Sequence, residues 1–308
     1  RISTKTADNA VMMSPLIAEW KGTPTPVMTL FGRRGQILGF DLFDNTGGNF
    51  NFAVAALSGS GKSVFVNEMT YRYLGAGAKV WIIDVGRSYK NLCELLDGEF
   101  IECSDEQRNT LCLNPFSMII DIQADMEMVL PLLAQMASPR EPLDNYAYTA
   151  LGSAIKRVWD ARGRSATITD IYELLQTGRL SSDGEYERDL SRLATALEPY
   201  TRHGVYASYF EGPANIEFDR DLVVLELEEL KARKDLQSVV MQLIMYRITQ
   251  EMYRDRSRRK LVIIDESWDL MGHGASGQFI EAGYRRARKY GGAFGTITQS
   301  VDDYYRNE

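Results

Sequence analysis

The chain has 308 residues, 44% hydrophobic and 25% charged, with a formal net charge of −7. That length buries a large core and holds one large domain or a domain with a sizeable insertion. The composition is ordinary for a soluble globular protein. The acidic balance argues against bulk attraction to nucleic acid, while leaving room for a local basic strip, and no uncharged apolar stretch approaches the ~18 residues of a membrane span.

The chain opens at Arg1 with no signal-peptide pattern, and the missing methionine points to a piece of a longer protein. Residues 1–50 carry turn signals at Gly22, Pro24, Pro26, Gly32, Gly35, Gly47 and Gly48. The short runs Val27–Phe31 and Ile37–Phe40 predict an extended lead-in. From Asn51 strands and helices alternate. The run Phe52–Ala56 reads as a strand and enters Ala56-Leu-Ser-Gly-Ser-Gly-Lys-Ser63, a phosphate-binding loop that opens a helix. Ser58, Gly59, Ser60, Gly61, Lys62 and Ser63 are its candidate nucleotide ligands. The two glycines turn the backbone so that N–H groups face a phosphate, and the helix adds the positive end of its dipole. Lys62 supplies a point charge for the β- and γ-phosphates, and Ser63 a hydroxyl for Mg²⁺. Ala56 stands where the full pattern has its first glycine, a mild departure if its backbone angle is ordinary.

Val80–Ile83 is a continuous apolar run ending in Asp84, as a strand buried on both faces reads. Phe100-Ile101 is a further short strand before the turn at Asn114-Pro115. Helical spacing then takes over, in Met126–Met136, Asn145–Trp159, Thr169–Leu175 and Glu187–Leu197, which predicts an all-helical insertion. Leu222–Leu225 returns to strand. Leu236, Val239, Val240, Leu243, Ile244 and Ile248 mark one apolar face of a long helix. The basic residues Arg254, Arg256, Arg258, Arg259 and Lys260 read as a solvated run.

Leu261–Ile264 is a third buried strand, and it ends in Asp265-Glu266. The carboxyl edge of an open α/β sheet is where ligands bind. Asp265 suits Mg²⁺, and Glu266 suits the activation of an attacking water. Arg285, Arg286, Arg288 and Lys289 precede a fourth strand, Ala293–Thr298, and offer an arginine finger or a solvated helix face. Gln299 follows that strand, where an amide can touch both γ-phosphate and water. Cys93, Cys103 and Cys112 are odd in number without a close-spaced pair, and His203 and His273 lie far from them. Small hydrophobic cysteines in a reducing compartment fit better than disulfides or zinc. The pattern as a whole predicts an α/β fold with a mostly parallel sheet covered on both faces.

The ordered motifs resemble the type IV secretion and conjugation ATPases of the TraC kind, within the HerA–FtsK group of hexameric motors. The matching pieces are Phe40-Asp-Leu-Phe43, Ser58–Ser63, Ile83-Asp-Val-Gly-Arg-Ser-Tyr89, Leu113-Asn-Pro-Phe116 and Tyr209-Phe-Glu-Gly212. Ile264-Asp-Glu-Ser-Trp268, Arg288-Lys-Tyr-Gly-Gly292 and Thr298-Gln-Ser300 complete the series. The nucleotide motifs are generic to motor ATPases; Asn114-Pro115-Phe116 and the spaced arginine and glutamine motifs narrow the match. The resemblance implies a RecA-like core over 1–121 and 206–308, interrupted by a helical subdomain over 122–205. It implies the carboxyl-terminal half of a larger ATPase, with an end trimmed relative to its relatives. It further implies ATP and Mg²⁺, a homo-hexamer, and a peripheral place at the cytoplasmic face of a bacterial inner membrane beside other type IV secretion components. Lys62, Glu266, Gln299 and Arg288 are then the catalytic set, with Ser63 and Asp265 at the metal. An assembly motor powering pilus biogenesis and substrate transfer is the leading reading. A DNA-translocating coupling ATPase and a non-hydrolysing nucleotide-binding scaffold are its alternatives.

Overall fold

Apolar runs that do not alternate with polar residues can be buried on both faces of a sheet, and the chain uses them so. The computed structural model describes residues 6–7, 20–32, 35–103, 111–177, 184–266, 283–285 and 287–304. Within them β1 (Met28–Phe31) and β2 (Ile37–Phe40) form an antiparallel pair apart from the main sheet. Six strands make that sheet, in the order β3-β8-β7-β4-β6-β5 and parallel throughout: β3 (Phe52–Ala55), β4 (Lys79–Asp84), β5 (Glu99–Glu102), β6 (Leu222–Glu226), β7 (Lys260–Ile264) and β8 (Gly292–Thr298).

Successive side chains of a strand point to opposite faces, and here each face has its own core. Trp81, Ile83, Val223, Leu225, Val262 and Ile264 enter one cluster, whereas Val80, Ile82, Leu222, Val224, Leu261 and Ile263 enter the other. The second face is covered by α1 (Lys62–Gly75), α2 (Lys90–Leu95) and the β1–β2 pair. The first is covered by the chain between β5 and β6, where the described elements are helical. These are α3 (Pro115–Met118), α4 (Ile122–Ala137), α5 (Asn145–Arg162), α6 (Ile168–Gln176), α7 (Gly184–Leu197) and α8 (Ala207–Phe210). Their starts follow capping rules: Asp121 and Asp144 accept backbone N–H bonds at the heads of α4 and α5, and Thr167 with Asp170 forms a capping box on α6.

Two readings need correction. The long helix α9 (Lys234–Arg254) is buried well beyond one face, since Gln237, Ser238, Met241, Gln242, Met245 and Tyr246 are buried with the predicted positions. It is covered by the sheet side and by α4, and two of its polar side chains are matched there, while the buried Gln237 Nε2 has no hydrogen-bond partner. Gln135 donates to Ser238 Oγ at 2.8 Å and accepts from Gln242. The basic run before β7 is also not simply solvated. Lys260 is 2% exposed and donates to Asp255 O, while Arg258 pairs with Asp221 at 2.8 Å and donates to Gly77 O.

Arg259 has the most demanding partner. The Asp41 carboxylate is buried behind β2, where it accepts from Phe43 N at 3.0 Å and from the Tyr73 hydroxyl at 3.2 Å. Arg259 Nη1 meets it at 2.9 Å, and the guanidinium lies 5.2 Å from the Phe43 ring centre. This ties the Phe40–Phe43 segment to α1 and to the start of β7. Arg259→Ala leaves Asp41 buried without its cation and is expected to destabilise the chain by about 2 kcal/mol, below the ~3–5 kcal/mol of a wholly buried pair because Arg259 is partly exposed. Urea unfolding checks it; an unchanged midpoint removes Asp41–Arg259 as an anchor.

Candidate functional site

The parallel sheet brings the carboxyl ends of its strands to one edge, and the phosphate-loop sequence arrives there from β3. Ala56 N still donates to Thr298 O at 3.1 Å, so the loop departs at the last ladder bond. Ala56 is not among the residues of positive φ, and the missing glycine therefore strains nothing. Gly59 and Gly61 do adopt left-handed backbone, at φ 77° and 93°, and a Cβ on either would meet nothing within 4 Å. Their glycine requirement is conformational, not spatial. Ser60 closes the turn by bonding Leu57 O through both N (3.1 Å) and Oγ (2.6 Å). Gly61 caps α1 without a side-chain acceptor, and the first turn of α1 holds no acid, so its N–H groups remain available to an anion.

The opposite wall comes from β7 and β8. Lys62 Nζ lies 3.0 Å from Asp265 Oδ1 and 3.1 Å from Glu266 Oε1. Gln299 Nε2 donates to the same Glu266 oxygen at 3.0 Å. Burial alone would lower the Lys62 pKa, but the bonds and charges of the two carboxylates overcome it and raise the value. Glu266 sits at φ 50°, a conformation a side-chain-bearing residue adopts at some strain, and its N–H donates to Asp265 Oδ1 at 2.8 Å. Asp265 is 2% exposed, and its other oxygen takes the Tyr89 hydroxyl at 2.7 Å. Burial, then the Asp265 charge, pushes the Tyr89 phenol well above its usual range, so it remains a donor.

A cleft of about 410 Å³ separates these walls, lined by Ser58, Gly59, Gly61, Lys62, Ser63, Asp84, Ser88, Asp265, Glu266 and Gln299 among others. Sequence reasoning thus brought Lys62, Ser63, Asp265, Glu266 and Gln299 to one place. Arg288 opens a short 3-10 turn before β8, but its side chain, like all of Arg286, lies outside the described residues.

Asp84, Ser88, Tyr89 and Glu226 were missed as site residues. The available signal was a repeated ending: buried runs at Val80–Ile83, Leu222–Leu225 and Leu261–Ile264 are each followed by an acid. Asp84 pairs in register with Glu226. Glu226 accepts three backbone N–H groups, from Gly86 (3.2 Å), Arg87 (2.6 Å) and Glu228 (2.8 Å), and burial still raises its pKa. Asp84 Oδ2 accepts from Ser88 N at 2.6 Å, while its buried Oδ1 has no partner. Burial, then the Glu226 charge, pushes Asp84 from 3.8 up to about 7. A larger hollow of about 930 Å³ opens at the other edge of the sheet, around Tyr71, Arg72, Leu96 and Arg220. Its arginines pair with Glu68 and Asp97, and it has no comparable convergence of groups.

A sequence model described as the TraG P-loop domain matches residues 35–308. Protein TraC of Escherichia coli (strain K12) is 34% identical over 311 residues, covering 96% of this chain and 34% of TraC. The chain therefore spans about a third of that relative's length. Among solved structures, VirB4 of Thermoanaerobacter pseudethanolicus superposes with a TM-score of 0.78 at 21% identity, over 94% of this chain and 81% of that one. The bacterial conjugative coupling protein TrwBdeltaN70 gives 0.58 at 14%, over 97% and 70%. The plasmid coupling protein TrwB in complex with ADP and Mg²⁺ gives 0.57 at 16%, over 98% and 73%. At those identities the structures speak for the fold.

The raised Asp84 pKa sets a stability dependence on pH. From about pH 4 to about pH 7 the folded chain keeps a proton that the unfolded chain has released, so this group's contribution falls as pH rises and its penalty is complete above about 7. Asp84→Asn removes the penalty and keeps an acceptor for Ser88 N–H. The variant should gain stability at pH 8, on the order of 2 kcal/mol more than at pH 5. Equal melting shifts at both pH values contradict the assignment.

Proposed function

The chain belongs to the family of the TraG P-loop domain, and from that premise we propose that it is an ATP-hydrolysing motor of a type IV secretion system. Its work would energise pilus biogenesis and conjugative substrate transfer. The observation that carries this reading is the meeting of Lys62 and Gln299 on one oxygen of Glu266 beside Asp265. A phosphate-binding loop, an acid able to take a proton and an amide able to orient water are the parts in-line hydrolysis needs. The 34% identity to TraC supports the secretion setting.

The donor set suits a hard divalent cation, because its side-chain donors are oxygens. Among the described residues no three His, Cys, Asp or Glu side chains group to hold a metal by themselves, so part of the shell would come from the nucleotide. Ser63 and Asp265 would hold Mg²⁺, which neutralises phosphate charge when bound. Lys62 would leave its carboxylates for the phosphates and release Glu266. Gln299 would orient a water against the γ-phosphorus, and Glu266 would take its proton as the new P–O bond forms and the bond to the β-phosphate oxygen breaks. Arg288 would stabilise the transferring group, either on its own nucleotide or on a neighbour's.

We further infer a homo-hexamer, peripheral at the cytoplasmic face of a bacterial inner membrane and docked on other secretion components. Among the described residues no helix is long and apolar enough to cross a membrane. A DNA-translocating coupling ATPase needs a free basic surface. The pairing of Arg258 and Arg259 with Asp221 and Asp41 makes the assembly motor the better reading. The scaffold alternative has no use for an acid, a lysine and an amide converging at the cleft.

Phosphate release from ATP and Mg²⁺ should fall at least about 100-fold in Lys62→Ala and Glu266→Gln. Specific activity should rise with protein concentration if Arg288 serves a neighbour. A folded, assembled wild-type chain that releases no phosphate sinks the motor reading and leaves the scaffold.

A further inference from the structure

We propose that Asp84 is a positioning residue for the divalent cation of this cleft, accepting a hydrogen bond at Oδ1 from a water bound to that cation. The inference rests on the reading of the cleft as a site for ATP with Mg²⁺ and adds an outer shell to it. Its basis is a buried acceptor that the protein leaves unfilled.

β4 lies between β7 and β6, and Ile83 pairs in register with Ile264. Asp84 and Asp265 are therefore the next residues at the same sheet edge, and both line the cleft. Asp84 is 1% exposed, and its Oδ1 is without a hydrogen-bond partner. A buried acceptor left unmade costs about 1–3 kcal/mol, and more when charged. The Val85 N–H lies near enough to pull the Asp84 pKa down but makes no hydrogen bond to Oδ1, and the other neighbouring donors are already engaged. Ser88 N is on Oδ2, the Tyr89 hydroxyl is on Asp265, and Lys62 is on Asp265 and Glu266. The backbone N–H groups of Gly86 and Arg87 are on Glu226.

What fills such a position must therefore enter from the cleft, be small, and donate to a carboxylate. Mg²⁺ gives up its waters reluctantly and is held by one or two carboxylates plus phosphate oxygens, so several of its ligands are strongly donating waters. With Asp265 at the metal, a carboxylate on the adjacent strand is placed to accept from one of them. Outer partners of this kind orient the inner shell, and their loss weakens metal binding about 10- to 100-fold.

The test is Mg²⁺-dependent binding of a fluorescent ADP analogue to the full 308-residue chain at pH 8, where Asp84 is ionised, followed by anisotropy with no turnover involved. In EDTA, wild type and Asp84→Asn should bind the analogue within about twofold of each other. The Mg²⁺ concentration for half-maximal enhancement should rise about 10- to 100-fold in the variant. Asp84→Ser, whose hydroxyl can also take the Ser88 N–H, should show the same shift, and circular dichroism should report both as folded. An unchanged Mg²⁺ midpoint in a folded variant overturns the proposal. So does an equal loss of affinity with and without Mg²⁺, which would make Asp84 a loop anchor only. A wild type that binds no nucleotide under either condition overturns the ATP reading itself, and this inference with it.

Discussion

An all-parallel sheet delivers every strand's carboxyl end to one edge, and in this chain four acids end up there. Asp84, Glu226, Asp265 and Glu266 follow or close three adjacent strands. Charges that close together, in a dry setting, are tolerated only if something offsets them. Three kinds of compensation are visible. Glu226 is wrapped by backbone N–H groups, Asp265 and Glu266 share the Lys62 ammonium, and Asp84 is pushed toward its neutral form. The phosphate loop is thus held in part by the acids opposite it, because its lysine is their counter-charge.

The same electrostatics shapes the loop after β4. Gly86 and Arg87 have φ of 137° and 56°, an awkward path for an arginine. It is stabilised because each N–H finds Glu226, and because the Arg87 side chain reaches Glu102 and Glu229. The path carries Tyr89 back beneath the sheet edge, where its hydroxyl fixes Asp265. A carboxylate bonded on one oxygen by Tyr89 and on the other by the Glu266 N–H has little rotational freedom even without Lys62. That fixity suits the cation-holding role proposed for it. Glu266, by contrast, has its oxygen shared by a lysine and an exposed glutamine. It is the member of the set whose partners can leave.

How much of this could be read beforehand depended on whether the cause was local. The loop at 56–63 was legible because strand, glycines, lysine and helix are contiguous, and the buried strands because their apolar runs lack alternation. The meeting of Gln299 with Glu266 was legible only as two strand ends, since their bond spans 33 residues. Asp84 was read as a strand's polar terminus. Nothing in Val80–Asp84 says that neighbours on both sides will bury it, because register belongs to the pairing and not to the strand. The burial of α9 was underestimated for a related reason. Gln237 and Gln242 look like a solvent face until α4 supplies Gln135 as partner to the second and to Ser238 between them. The basic residues Arg258 and Arg259 likewise found partners far away in sequence, at Asp221 and Asp41.

The motifs outside the cleft have a physical reason of their own. Asn114 is 1% exposed and spends its whole amide on backbone: Nδ2 donates to Ala166 O at 2.8 Å and Gly212 O at 2.9 Å, and Oδ1 accepts from Phe116 N at 3.0 Å. Leu113 N donates to Tyr209 O at 2.6 Å beside it, and Cys112 exchanges bonds with Asn215. Asn114-Pro115-Phe116 and Tyr209–Gly212 are thus the entry and exit of the helical excursion, closed upon each other. Closing a segment of that length carries an entropic cost that grows only slowly with length, so a few buried, fully satisfied bonds at its neck suffice to hold it. Aspartate would carry a charge into this neck and lack the amide donors, and glutamine would place the amide one methylene too far. Asparagine there closes the neck of the helical body with both its amide nitrogen and its amide oxygen bonded to backbone.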